Sequence, residues 1–336
     1  MELPKKYKKN FNHSYTLGPF PTFELLQTRP ELARAVFMDD SFHEAPKLQA
    51  LCKEKNIPLH TAPRALQRIG EKEATYVAGV FSKEDRPLCA QRPHIVLVNP
   101  GNMGNLGTIL RTALGFGCFD VAVIEPAADL FHPKVIRASM GALFHLRCCR
   151  FPSIRAYLAR FAPHLLSVLP APSDLQDGIS PRNAADWLQK NAAHKEDDPQ
   201  NVSASIPLEP GDAEHPAAAG PESGNPVWEK QKSDPTAPSG PLPERFLFPF
   251  MLRNAKPLTR LPQPKPPCYS LLFGNEASGL PDAFHALGQP LYIPQSPWVD
   301  SLNLSVAAAI GLFFFSEMNP SPSNRTGQAF GGDPKP

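Results

Sequence analysis

A chain of 336 residues, 42% of them hydrophobic, is long enough to bury the cores of two domains. Its 41 prolines are about twice average usage, which excludes a chain folded throughout and points to a linker or unfolded segment. The net charge of +2 conceals an asymmetry, because residues 171–244 carry 13 Asp and Glu against 5 Lys and Arg, a net of −8 set in a body of +10. A basic body with an acidic insert fits a polyanionic partner for the body alone.

Taken in chain order, "MELPKKYKKNFNHSY" is basic and lacks the apolar core of a secretory signal. Residues 20–82 alternate. "FELLQTRPELARAVFMDD" predicts a helix and then a strand at 35–38, "APKLQALCKEKN" a helix, "IPLHTA" a short strand and "PRALQRIG" a further helix. That alternation marks a small α/β domain over residues 1–85. The charged, proline-bearing "FSKEDRPLCAQRP" (81–93) reads as a linker.

A second α/β unit opens with "HIVLVN" (94–99), a continuous apolar run expected as a buried parallel strand. The run "GNMGNLGTILRTA" (101–113) places Gly101, Gly104 and Gly107 ahead of a helix, on which Ile109, Leu110, Ala113 and Leu114 share a face. Gly115 and Gly117 end that helix, and "FDVAVIEP" is the next strand. A strand–loop–helix–strand unit puts the glycine loop and Arg111 at the carboxyl end of the first strand, where open α/β sheets bind ligands. "FHPKVIRASMGALFHL" predicts another helix, with Pro133 near its start.

Composition over 171–244 then collapses into Pro, Ala, Ser, Gly, Asp and Glu, as in a disordered insertion, with one helical turn at "AADWLQKN". Order is expected to resume at "FLFPFMLRN". The strand "YSLLFG" (269–274) runs into "NEASGLPD", "PLYIPQ" is a short strand, and "SLNLSVAAAIGLFFFSEM" is an apolar helix with Ser and Asn at its mouth. Its longest apolar run, Val306 to Phe315, is too short to span a bilayer, and 319–336 reads as a disordered tail. Cys52, Cys89, Cys118, Cys148, Cys149 and Cys268 show no CxxC spacing, so reduced thiols, no metal and a cytoplasmic location are expected.

The glycine loop alone leaves several chemistries open. Its spacing is GxxGxxG rather than GxGxxG, yet Glu125 sits where a ribose-binding carboxylate would, so a nicotinamide oxidoreductase stays in play. No Gly-Lys-Ser/Thr follows, which excludes a Walker loop. A tight turn with no ligand is also open. Further on, Glu276 alone reads equally as a solvated loop carboxylate, and Ser301 and Asn303 as ordinary helix caps.

Three stretches together carry more. "NPGNMGNLGTILRTALGFG", "FGNEASGLP" and "IPQSPWVDSLNLSVAAAI" resemble, in order, the three motifs of the SpoU/TrmH class of RNA 2'-O-ribose methyltransferases of the SPOUT superfamily. "PKVIRASMGALFHL" matches a segment common between the first and second motifs. The resemblance covers about residues 92–318 without the insertion, and the N-terminal unit is more loosely similar to a small ribosomal-protein-like RNA-binding domain.

The resemblance implies a SPOUT-type α/β knot, trefoil-knotted with a mostly parallel sheet, over 86–318. It implies S-adenosyl-L-methionine held largely by the backbone of Gly274, Ile293 and Leu302, with Ser301 and Glu276 nearby. Arg111 would stand at the ribose 2'-hydroxyl and adjoining phosphate, clamping the phosphate and stabilising developing alkoxide charge. Asn105 would hold the loop, and Glu276 and Asn303 would anchor the same constellation. A homodimer and a tRNA or rRNA substrate follow from the same likeness. RNA contact is expected at Lys5, Lys6, Lys8 and Lys9, and around Lys134 and Arg137. The alternative is a non-catalytic RNA-binding protein that kept the fold, against which Asn105, Arg111, Glu276, Ser301 and Asn303 all being present argues.

Overall fold

The computed structural model describes residues 4–70, 75–168, 243–251, 255–260, 266–296 and 298–317. The expected insertion, apart from residues 243 and 244, and the expected tail lie outside the described residues, as does the turn at "AADWLQKN".

The N-terminal part forms a four-stranded mixed sheet. Its elements are β1 (His13–Tyr15), α1 (Pro19–Thr28), β2 (Ala33–Met38), α2 (Ala45–Glu54), β3 (Leu59–Thr61), α3 (Pro63–Ile69) and β4 (Val77–Ser82). The strand order is β1-β4-β2-β3, antiparallel except for the β2–β3 pair. Strand β4 carries Gly79 because a Cβ there would come within 2.9 Å of Thr16 Oγ1, a hydroxyl that accepts from the Gly79 N–H.

The second sheet has five parallel strands in the order β7-β6-β5-β10-β8. They are β5 (His94–Val98), β6 (Asp120–Ile124), β7 (Arg147–Phe151), β8 (Phe246–Pro249) and β10 (Tyr269–Phe273); β9 (Lys256–Pro257) pairs with β11 (Leu291–Tyr292) alone. Every residue of β5, β6 and β10 is buried, as mostly apolar strands covered on both faces must be. On one face Ile95, Leu97, Val121, Val123, Leu271 and Phe273 pack beneath α4 (Met103–Gly115), α5 (Pro133–Ala138) and the terminal helix. On the other, α6 (Ile154–Phe161) lays Tyr157 and Phe161 against His94 and Ser270. The terminal helix, α7, runs Leu304–Glu317.

Both sheets belong to one compact unit. Leu25 and Phe81 of the first enter the core of the second, Ser14 donates to the Phe131 carbonyl, and Glu24 meets His145 at 2.6 Å.

Two local expectations are corrected. The helix expected through 131–146 stops at Ala138, because Met140 and Gly141 take left-handed backbone (φ 53° and 78°), and a short 3-10 turn follows at Ala142–Phe144. The glycine run is mostly helix rather than loop. α4 starts at Met103, capped by the Asn102 side chain, which accepts from the Gly104 and Asn105 amides at 2.8 and 3.0 Å. Gly107 therefore serves a helix crossing: a Cβ there would stand 2.5 Å from Ala138 Cβ and 2.8 Å from the Val135 carbonyl of α5. Gly107→Ala is expected to overpack that crossing and destabilise the fold by about 2 kcal/mol, read as a lowered melting temperature.

Candidate active site

Chain order along the second sheet reverses between β5 and β10. From β5 the chain moves outward through β6 to β7, and it returns on the other side as β8 and β10. A crevice at the carboxyl ends of strands where the order reverses is where open α/β sheets hold ligands. Three chain segments meet there.

The first is the turn after β5. Asn99 takes φ 53°, a left-handed conformation that asparagine tolerates, and its side chain donates to the Pro126 carbonyl. The second is the loop after β10. Asn275 donates from Nδ2 to the Asn99 carbonyl at 2.7 Å, accepts from the Ala277 and Ser278 amides, and exchanges backbone hydrogen bonds with Gly279. The third is the mouth of α7, where Asn303 Oδ1 accepts from the Ser305 amide at 2.9 Å.

Glu276 ties the first two segments. Its carboxylate accepts from the Gly101 amide (2.9 Å), the Asn102 amide (3.1 Å) and Asn105 Nδ2 (3.2 Å). Asn303 Nδ2 then donates to Asn105 Oδ1 at 3.1 Å, which brings in the third. Burial raises the Glu276 pKa, but the hydrogen bonds from Gly101, Asn105 and Asn102 outweigh it and hold the carboxyl below its usual value. Asn105, Glu276 and Asn303 are thus one hydrogen-bonded set, drawn from positions up to 198 residues apart.

Arg111 makes no hydrogen bond or ion pair to that set. It lies six residues beyond Asn105 on α4, about 9 Å along the axis and roughly 120° around it. It is exposed, on a ridge with Gly104, Thr108 and Gly115, and makes no hydrogen bond or ion pair among the described residues. Helical side chains lean toward the N-terminus, so Arg111 inclines over Thr108 and Gly104 toward the network end of α4.

Gly274 lies buried directly ahead of the network, but its lack of a side chain serves the loop itself. A Cβ would fall 2.1 Å from the Gly279 carbonyl carbon, so the glycine is required by backbone closing on backbone, not by an open cradle. Ile293 packs against the main core. Ser301 and Leu302 precede Asn303, and among the described residues nothing hydrogen-bonds either of them. Backbone N–H and C=O groups that find no partner among the described residues suit a ligand recognised through backbone.

The ribbon that carries the N-terminal lysines touches β6 and the start of α5. Lys9 Nζ stands 3.9 Å from Glu125 Oε2 at the end of β6, and Tyr7 packs edge-on to His132, 5.2 Å between centroids. His132 caps α5 by accepting from the Lys134 amide. Lys5, Lys6, Lys8, Lys134 and Arg137 are exposed. Asn99, Asn102 and Asn275, which fix the loops, were not singled out from the sequence, although the Asn-Pro, Pro-Gly-Asn and Gly-Asn contexts carry the turn and cap signals that could have found them. Nor was Trp298, which is 92% exposed just ahead of α7.

The model of the SpoU rRNA Methylase family matches residues 92–190 and 244–313, half of the chain. The chain belongs to the SpoU rRNA methylase family. With that, Glu125 loses its part in a nicotinamide reading and stands instead as the partner of Lys9.

Among relatives of this SpoU chain, the mouse mitochondrial rRNA methyltransferase 3 is 39% identical over 79 residues, 21% of this chain and 19% of that protein. The 23S rRNA (uridine(2479)-2'-O)-methyltransferase of Streptomyces viridochromogenes is 34% identical over 99 residues, 27% of this chain and 34% of that one. The matched stretches thus span about a third of these relatives' lengths at most. In fold, the chain is similar to the SpoU methyltransferase AviRb of S. viridochromogenes in complex with AdoMet, with TM-score 0.57, 20% identity, and 91% and 90% of the two chains covered. It is also similar to an AdoMet-bound rRNA methyltransferase from Sinorhizobium meliloti, with TM-score 0.55, 16% identity, and 91% and 87% covered.

Proposed function

We propose that this chain transfers a methyl group from S-adenosyl-L-methionine to a ribose 2'-hydroxyl in structured RNA, tRNA or rRNA. The observation that carries the reading is the convergence of the three family motifs on one spot, Glu276 binding the Gly101–Asn105 turn and Asn303 closing on Asn105. The name of the S. viridochromogenes relative supports the 2'-O position, and the AdoMet-bound neighbours support the donor.

The donor supplies an electrophilic methyl on a sulfonium. The backbone of Gly274, Ile293 and Leu302, with Ser301, holds it, and the Glu276–Asn105–Asn303 set keeps those loops in register. In-line displacement needs alignment above all, and rigid loops supply it. Arg111 clamps the phosphate next to the target ribose and stabilises the oxygen as its proton passes to solvent. The exposed Val306 and Phe313 of α7, with Phe116 stacked edge-on to Phe313, form an apolar surface suited to a second copy of the chain.

Calorimetry should detect binding of S-adenosyl-L-methionine, and labelled donor should deliver methyl groups to total RNA that survive as alkali-resistant dinucleotides. Label found only on bases would overturn the 2'-O assignment. Donor binding without transfer to any RNA would favour the non-catalytic RNA-binding alternative.

A further inference from the structure

The first sheet carries a feature that the methyl-transfer site does not use. Strand β2 has a β-bulge at Arg34, between the pairs Ala33–Phe81 and Ala35–Val80. A bulge re-aims a side chain, and such bulges gather beside functional sites. Here it turns an exposed arginine across β4 toward the start of β1, where Nε donates to Ser82 Oγ (2.9 Å) and Nη1 to Asn12 Oδ1 (3.2 Å). Both are neutral partners, so neither offsets the guanidinium charge.

Beside Arg34, Phe11 and His13 lie ring on ring, 5.0 Å between centroids at 18°. Burial, then Arg34 and Lys83, lower the His13 pKa, so near neutral pH this is an uncharged ring. Lys83 donates to the Lys9 carbonyl at 2.9 Å and lies 4.6 Å over the Tyr7 ring. The nearby carboxylates are already engaged: Glu84 with Arg29 and Asp85 with Arg150. The ribbon 4–12 is fastened at Tyr7, which donates to Asp129, and at Lys5, whose carbonyl accepts from Tyr15. Through Lys9 and Glu125 it reaches the carboxyl end of β6, two strands from the Glu276 network, about 10 Å at ordinary strand spacing.

We propose that Phe11, His13, Arg34 and Lys83 form a strip that takes unpaired nucleotides flanking the modified one, a base stacking on the aromatic pair and a phosphate lying against Arg34. Aromatic rings interleaved with cations in a groove along the chain are how single strands are held without sequence readout. The inference rests on the reading of this chain as acting on RNA.

Anisotropy of a short fluorescein-labelled single-stranded RNA tests it over a salt series. Phe11→Ala should weaken binding about tenfold with an unchanged salt slope. Arg34→Ala should weaken it and reduce the slope by about 0.7. S-adenosyl-L-methionine affinity should stay at the parent value in both, and the melting temperature should fall by no more than about 4 °C. Parent-like RNA affinity in both variants would overturn the strip, and so would equally tight binding of poly-glutamate. If the donor binds and the variants hold RNA normally, only the strip fails; if RNA binding weakens as expected but no donor binds, the strip stands and the methyl-transfer reading fails.

Discussion

Arg111→Ala is expected to lower methyl transfer by 10²–10³-fold or more while leaving donor affinity and stability at parent values. Preorganised positive charge at an oxygen that becomes anionic commonly contributes about that much. The stability expectation follows from its surroundings: the side chain is exposed and pairs with nothing among the described residues, so its loss removes no native contact. The donor expectation follows from its distance from the Glu276 network, to which it contributes no hydrogen bond. Arg111→Lys should recover little, because an ammonium cannot grip a phosphate with two parallel hydrogen bonds. Single-turnover transfer and calorimetry on the same preparation check both halves. A fall in donor affinity that matches the fall in transfer would move Arg111 from the RNA side of the reaction to the donor side.

Much of the parallel sheet was legible because its central strands, β5, β6 and β10, are buried on both faces and so read as runs that are apolar but for His94, Asp120 and Ser270. Strand β7, "RCCRF", hid behind its arginines, and their charge is met by tertiary partners: Arg147 by the fully buried Asp120, Arg150 by Asp85. No periodicity signals such pairing. The same holds for Arg245, buried at 2% exposure, with its guanidinium donating to four acceptors on the 90–92 and 269–270 segments.

The glycine run shows how one residue pattern serves two physical needs. Gly107 read as room for a ligand and is in fact room for α5, a distinction set by a helix some thirty residues on. Gly274 likewise answers to Gly279. Resemblance to the family motifs implied that Asn105, Glu276 and Asn303 anchor one constellation; which atoms join them, and that Arg111 makes no hydrogen bond to them, required the fold.

Glu276→Gln should damage donor binding and transfer together, by about 10–100-fold, and cost about 1–2 kcal/mol of stability. Three donors converge on this carboxylate, two of them backbone amides that face it. A glutamine offers one acceptor oxygen and sets an NH₂ against the remaining donors, so an amide loses its partner. Partial exposure of the site keeps the figure at the low end of charged hydrogen bonds. The pH dependence gives a separate check. Because the folded-state pKa is depressed, the carboxylate's contribution is complete above the unfolded value, about 4.3, and is lost as pH falls through the folded one. The parent's advantage in melting temperature over Glu276→Gln should therefore be full at neutral pH and shrink as the solution is acidified below pH 4. A gap that stays constant into that acid range would mean the charge of Glu276 is not what holds the three segments together.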